Sequence, residues 1–237
     1  MSAVKAMTRA ATNLLRAGKF REAEIAARQI LASHGETLPA LNLLATALLR
    51  QRKAADAEPL LSRSLAAAPD QIGVLISLAR TKLALGKKAE VPDLLAAAVG
   101  LESGKVSNLL AIGRVYLAID DLDGAIRAFG AATELKPDSA EAHAELGRCL
   151  YRRHRIFSAR DALEMAVSLD PSHAEAQAVL GAALLDLEKS DEAIDRLRTA
   201  LRIDPDNVTA HSMLGRAYRG LGEPEKAAAC YREMIDR

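Results

Sequence analysis

Apolar residues recur along the whole chain at three- and four-residue steps, in blocks separated by short polar turns, and this spacing predicts amphipathic helices from end to end. Three segments show that the blocks come in pairs and that the pairs repeat: ELKPDSAEAH, SLDPSHAEAQ and RIDPDNVTAH. Their prolines, Pro137, Pro171 and Pro205, are 34 residues apart, and two more periods back lies Pro69. With Val4 as position 1, the 34-residue frame runs through to Arg237 without an insertion, giving seven helix–turn–helix repeats over residues 4–237. The prolines fall at position 32, at or just beyond the last turn of the second helix, where proline can stop a helix.

Side-chain volume follows the same frame. Position 8 reads Ala11, Ala45, Ala79, Gly113, Gly147, Gly181 and Gly215, all small. Position 20 is Ala in every repeat but the third, which has Val91. Larger residues occupy position 24: Leu61, Leu95, Phe129, Leu163, Leu197 and Tyr231, after Ala27 in the first repeat. Small residues at 8 and 20 let the two helices of a pair, A and B, cross closely. Bulkier ones at 7, 11, 24 and 27 fill the space toward the next helix A. One pair cannot bury its apolar faces alone, so neighbours must stack.

Small residues at 8 and 20, Leu or aromatic residues at 11 and 24, and Pro at 32 resemble the tetratricopeptide repeat, over essentially the whole chain. Repeats four to seven carry the pattern best, including Tyr116, Phe129, Tyr218 and Tyr231. The resemblance implies an all-α, right-handed α-solenoid of seven tandem repeats. Position 4, usually a large aromatic in the family, departs from it: Met7, Leu41, Leu75, Leu109, His143, Gln177 and His211. Repeat three is the poorest, with Lys82 in an apolar slot, Val91 for Ala, Ser103 for Pro, and Gly100 and Gly104 around its end. The expected division is residues 4–105 and 106–237, with a soft joint at 86–105. Pro92 requires the helix B of repeat three to start late, near Ala89–Val91, and Pro59 predicts the same for repeat two.

Composition agrees with helix: half of the 237 residues are hydrophobic, only 3 % are aromatic, and Ala and Leu dominate. With 32 Lys and Arg against 31 Asp and Glu the net charge is +1, which does not suggest a general nucleic-acid binder. Cys149 and Cys230 lie far apart without metal-ligand spacing and read as packed thiols of a reducing compartment. No apolar run is long enough to suggest a membrane span. The basic first twenty residues fit a first repeat helix better than a transit peptide. A cytoplasmic protein is expected.

In the family the concave groove is lined mainly by helix A at positions 2, 5, 9, 12 and 13. Position 9 here reads Thr12, Thr46, Arg80, Arg114, Arg148, Ala182 and Arg216, three successive arginines and a fourth beyond a gap. Position 13 adds Arg16, Arg50 and Arg152, position 12 Tyr151, and position 5 Asn42, which could meet peptide amides. A guanidinium fork grips carboxylates at two points. The expected partner is therefore a protein segment, extended or helical, bearing Asp, Glu or a free carboxylate. The competing reading is that Glu141, Glu145 and Glu175 neutralise these arginines within the array. The Lys and Asn pair with which one subclass of the family clamps chaperone tails is absent, since position 9 never holds Asn.

His143 and His211 are expected to be structural, and no metal or cofactor is implied. The acidic turn Asp120, Asp121 and Asp123 lacks calcium-loop order, and the basic turn Arg152 to Arg155 is read as solvated or as an anion contact. No phosphate loop, GxSxG or HExxH appears, so no catalysis is expected of these residues. The last repeat has no further capping helix in the sequence, which suggests self-association through uncapped ends or a longer protein. The alternative to a scaffold is the substrate-positioning region of a larger transferase, such as a sulfotransferase or glycosyltransferase.

Overall fold

The computed structural model describes residues 2–101 and 104–235, and Ser103 and Arg237 lie outside the described residues. The described residues form α-helices joined by short turns, with no strand among them: α1 (Ser2–Arg16), α2 (Phe20–His34), α3 (Leu38–Arg50), α4 (Ala54–Ala67), α5 (Ile72–Ala84), α6 (Val91–Gly100) and α7 (Val106–Ala118), then α8 (Leu122–Leu135), α9 (Ala140–Arg152), α10 (Ile156–Leu169), α11 (Ala174–Asp186), α12 (Ser190–Ile203), α13 (Val208–Gly220) and α14 (Pro224–Ile235). Odd-numbered helices are the helices A of the 34-residue frame, and even-numbered ones the helices B. A short 3₁₀ turn, Lys88–Glu90, precedes α6.

The chain divides into two compact units, Met1–Asp120 and Asp121–Arg237. In the first, α1 to α6 pack each on the next, and α1 also lies beside α3 and α5 beside α7. In the second, α8 to α14 do the same, with α9 beside α11 and α11 beside α13. Each unit buries its own core of Leu, Ile, Val and Ala, centred on Ile30, Leu44, Leu48 and Leu61 in the first and on Leu163, Leu180, Leu184 and Leu197 in the second.

The small positions are small for a steric reason. A Cβ built on Gly147 would lie 2.6 Å from Leu163 Cγ, and one on Gly181 2.6 Å from Leu197 Cγ. At Gly215 the Tyr231 ring stands 2.5 Å away. Position 8 of helix A is thus pressed against position 24 of its own helix B. The position-20 residues Ala23, Ala57, Val91, Ala125, Ala159 and Ala193 have no exposed surface.

All seven A–B turns share one backbone conformation. Position 15 is left-handed in every repeat: Gly18, Arg52, Gly86, Asp120, His154, Glu188 and Gly222, with φ between 57° and 75°. In the turn after α3, Lys53 N–H donates to Leu48 O and Arg52 N–H to Leu49 O, both at 3.0 Å, so the last carbonyls of the helix are satisfied in a Schellman motif. Glycine takes that conformation freely, whereas another L residue gives up about 1–2 kcal/mol.

Three departures from the family pattern acquire physical reasons. At position 4, His143 Nε2 lies 2.9 Å from Pro137 O, Gln177 Nε2 donates to Pro171 O at 3.2 Å, and His211 Nε2 lies 2.8 Å from Pro205 O. A polar side chain there serves the proline carbonyl that ends the preceding helix B, so both histidines hold structural positions. Lys82 is nearly buried, but its ammonium sits 3.0 Å from Glu58 and 2.6 Å from Glu90. Those carboxylates raise its pKa, and Glu58 is lowered by hydrogen bonds from Lys87 and Lys82. α6 starts at Val91 with Pro92 in its first turn, as proline requires. Pro59 is different: α4 begins at Ala54 and runs through it. The late start expected for repeat two does not occur: the carbonyl deprived of its partner is that of Ala55, an exposed residue, where water can serve it.

Candidate functional site

Helices α1, α3, α5 and α7 contain no Asp or Glu, yet they carry Lys5, Arg9, Arg16, Arg50, Arg80, Lys82 and Arg114. Lys82 turns inward to its glutamates, and the other cations are exposed. α3 and α5 do not pack beside each other as α1 and α3 do, and a cleft of about 1000 Å³ opens between them. Leu49, Ala54, Ala55, Ala84 and Leu85 give it an apolar lining. Thr46, Arg50, Arg52, Lys53 and Arg80 supply its polar rim, together with one acid, Asp56. A smaller hollow of about 450 Å³ lies along α1, between Lys5, Arg9, Thr12 and Arg16 and Pro39 of α3.

The cations of the cleft differ in what they already hold. Lys53 is tied to Glu24 at 3.0 Å, in a cluster with Arg28 and Gln51. Hydrogen bonds from Lys53, then Arg28, then Gln51 draw the Glu24 pKa down to about 2. Arg50 rests over the Phe20 ring, its guanidinium carbon 6.0 Å from the centroid. Arg80 and Arg52 are exposed and have no ion-pair partner among the described residues. Thr46 turns its hydroxyl back on Asn42 O at 2.7 Å. Asn42 donates to Gln71 Oε1 at 2.8 Å, while its Oδ1 is buried without a partner among the described residues.

The second unit treats the same positions differently. Arg148 pairs with Glu145, one helical turn away on α9. Arg216 of α13 pairs with Asp186 of α11, which also takes part in a hydrogen bond with Tyr151. Burial first, and then that contact with Asp186, pushes the Tyr151 phenol up to about 12. The neutralisation weighed from the sequence therefore takes place here, through Glu145 as expected and through Asp186, which the sequence reading passed over. Glu175 instead accepts from Asn207 at 3.3 Å. Arg152 is exposed at the end of α9, and Arg114 is exposed on α7 of the first unit.

The acidic and basic turns also find structural work. Asp121 caps α8 by accepting from Gly124 N–H at 2.8 Å, and Asp123 holds Arg153 at 2.6 Å. Cys149 and Cys230 are buried free thiols, and burial pushes the Cys149 pKa up to about 11. Among the described residues no group of three or more His, Cys, Asp and Glu is placed to hold a metal ion. No described helix is long and apolar enough to cross a membrane.

The family profile of the tetratricopeptide repeat matches residues 8–72, 110–174, 152–207 and 178–237. The chain belongs to the tetratricopeptide repeat family. Among solved structures, this tetratricopeptide repeat protein is similar in fold to MamA, at 24 % identity and a TM-score of 0.61 over 70 % of this chain and 90 % of that one. It is also similar to YrrB, described as a TPR protein with an unusual peptide-binding site, at 18 % identity and a TM-score of 0.65 over 78 % and 95 % of the two chains. PilF of Pseudomonas aeruginosa aligns at 17 % identity with a TM-score of 0.72, over 88 % and 95 %. No curated protein matches the sequence. These similarities establish the all-α tandem-repeat fold, which serves many unrelated partners.

Proposed function

We propose that this protein is an interaction scaffold whose helix-A face captures an acidic segment of a partner protein. The observation that carries this reading is the absence of Asp and Glu from α1, α3, α5 and α7, on helices that present Arg50 and Arg80 to a cleft of about 1000 Å³. Guanidinium groups without an ion-pair partner among the described residues, set over an apolar lining, favour a peptide whose carboxylates reach the rim. Peptide binding is also the property named for the structurally similar YrrB.

The test is an array of immobilised peptides, acidic, neutral and basic, probed with the full-length protein and repeated at rising salt. Acidic peptides should be retained selectively and released as salt screens the rim. Capture independent of peptide charge, or of basic peptides alone, would overturn the proposal.

A further inference from the structure

Resting on that reading, we infer that docking is confined to the cleft between α3 and α5 of the first unit, and that its ligand is a peptide in which apolar side chains alternate with carboxylates. In this arrangement Arg52 is the specificity-determining contact.

The two units supply the contrast. In the second, the guanidinium groups of Arg148 and Arg216 are already covered by Glu145 and Asp186. A ligand carboxylate there would have to displace an internal one, with little net gain. In the first, Arg80 and Arg52 have no ion-pair partner among the described residues, α3 and α5 carry no acid, and Asp56 of α4 is the one carboxylate in the cleft lining. The cleft lining of Leu49, Ala84 and Leu85 between these charges would be served only partly by a purely acidic chain. Apolar side chains of the ligand would seat on that lining while its carboxylates meet the arginines. Nucleic acid fits less well, because no aromatic side chain is among the residues that line the cleft on which a base could stack.

Arg52 reaches the cleft from the turn between α3 and α4. Its φ is 63°, at a turn position that three repeats give to glycine and three others to Asp120, His154 and Glu188. The side chain lines the cleft and makes no ion pair among the described residues, so its guanidinium is available to a ligand. Glycine at this position would relax the turn. An arginine serves a carboxylate in the cleft.

The experiment measures binding of the full-length protein to a labelled synthetic peptide alternating Glu and Leu, by fluorescence anisotropy, with thermal unfolding recorded for each variant. Arg80→Ala and Arg52→Gly should each weaken binding by about tenfold, the loss of one good charge-assisted contact. Arg52→Gly should at the same time raise the melting temperature, so lost affinity could not be ascribed to a damaged fold. The double variant Arg148→Ala, Arg216→Ala should have at least a severalfold smaller effect than either. Unchanged affinity of Arg52→Gly, or a larger loss from the second-unit variant, would overturn this inference and leave the acidic-segment reading standing. No binding of any acidic peptide would overturn both. Tighter binding of a single-stranded DNA oligonucleotide than of the peptide would reassign the cleft to another class of partner.

Discussion

At the scale of single residues, close approach outweighs intrinsic preference. Glycine inside a helix is disfavoured relative to alanine by roughly 0.5–1 kcal/mol, so Gly147→Ala would stabilise an exposed helix. Here the new methyl would meet Leu163 Cγ at 2.6 Å and the Ala159 carbonyl at 3.2 Å. Neither is the free end of a flexible chain, and overpacking of this kind costs about 1–3 kcal/mol. Gly147→Ala should therefore lower stability in chemical denaturation; a gain would show that the α9–α10 crossing can relax. Glu24 gives a second expectation at this scale. Its pKa falls from 4.5 to about 2 on folding, so its contribution is complete above pH 4.5 and is lost as the pH drops toward 2. Glu24→Gln should reduce stability at neutral pH and flatten the acid limb of the stability curve, as followed by circular dichroism against pH.

At the scale of helices, the two units differ in how their ends are secured. In the second, Ser139, His173 and Asn207 cap α9, α11 and α13 by accepting from Ala142, Ala176 and Ala210 N–H. In the first, Thr37, Gln71 and Lys105 precede α3, α5 and α7 without a side-chain cap bond. Such caps are worth typically about 1 kcal/mol each. α6 is also short, at 10 residues against 14 for α4, α8, α10 and α12, and it is entered through a 3₁₀ turn. Segment 86–105 should accordingly exchange its amide hydrogens faster than 140–200, as read by mass spectrometry. Equal protection of the two segments would remove the soft joint.

At the scale of the whole molecule, a net charge of +1 conceals an uneven placement of charge on the helices A. α1, α3, α5 and α7 contain only basic charged residues, whereas α9 and α11 contribute Glu141, Glu145, Glu175 and Asp186. A total near zero argues against a general polyanion binder. On the function proposed above, this placement is what would let the basic helices favour an acidic partner.

The helices and their repeat were legible from sequence, because period and side-chain volume are set by the chain itself: small residues at 8 and 20, bulk at 24 and proline at 32. The arginine positions were legible too, but not their state. A guanidinium is neutralised or left open by groups that folding brings near, and nothing in the spacing singled out Asp186 as the partner of Arg216 or showed that Arg80 has none among the described residues. The left-handed turn at position 15 was hidden for a related reason. Only three of its seven residues are glycine, and the conformation is imposed by the helix-end hydrogen bonds rather than by the residue. Pro59 shows the limit of a local rule, since the fate of a broken helix bond depends on whether its carbonyl faces water. Sequence determined which residues repeat, and tertiary structure decided which charges remain open, because electrostatic neutralisation acts between groups distant along the chain.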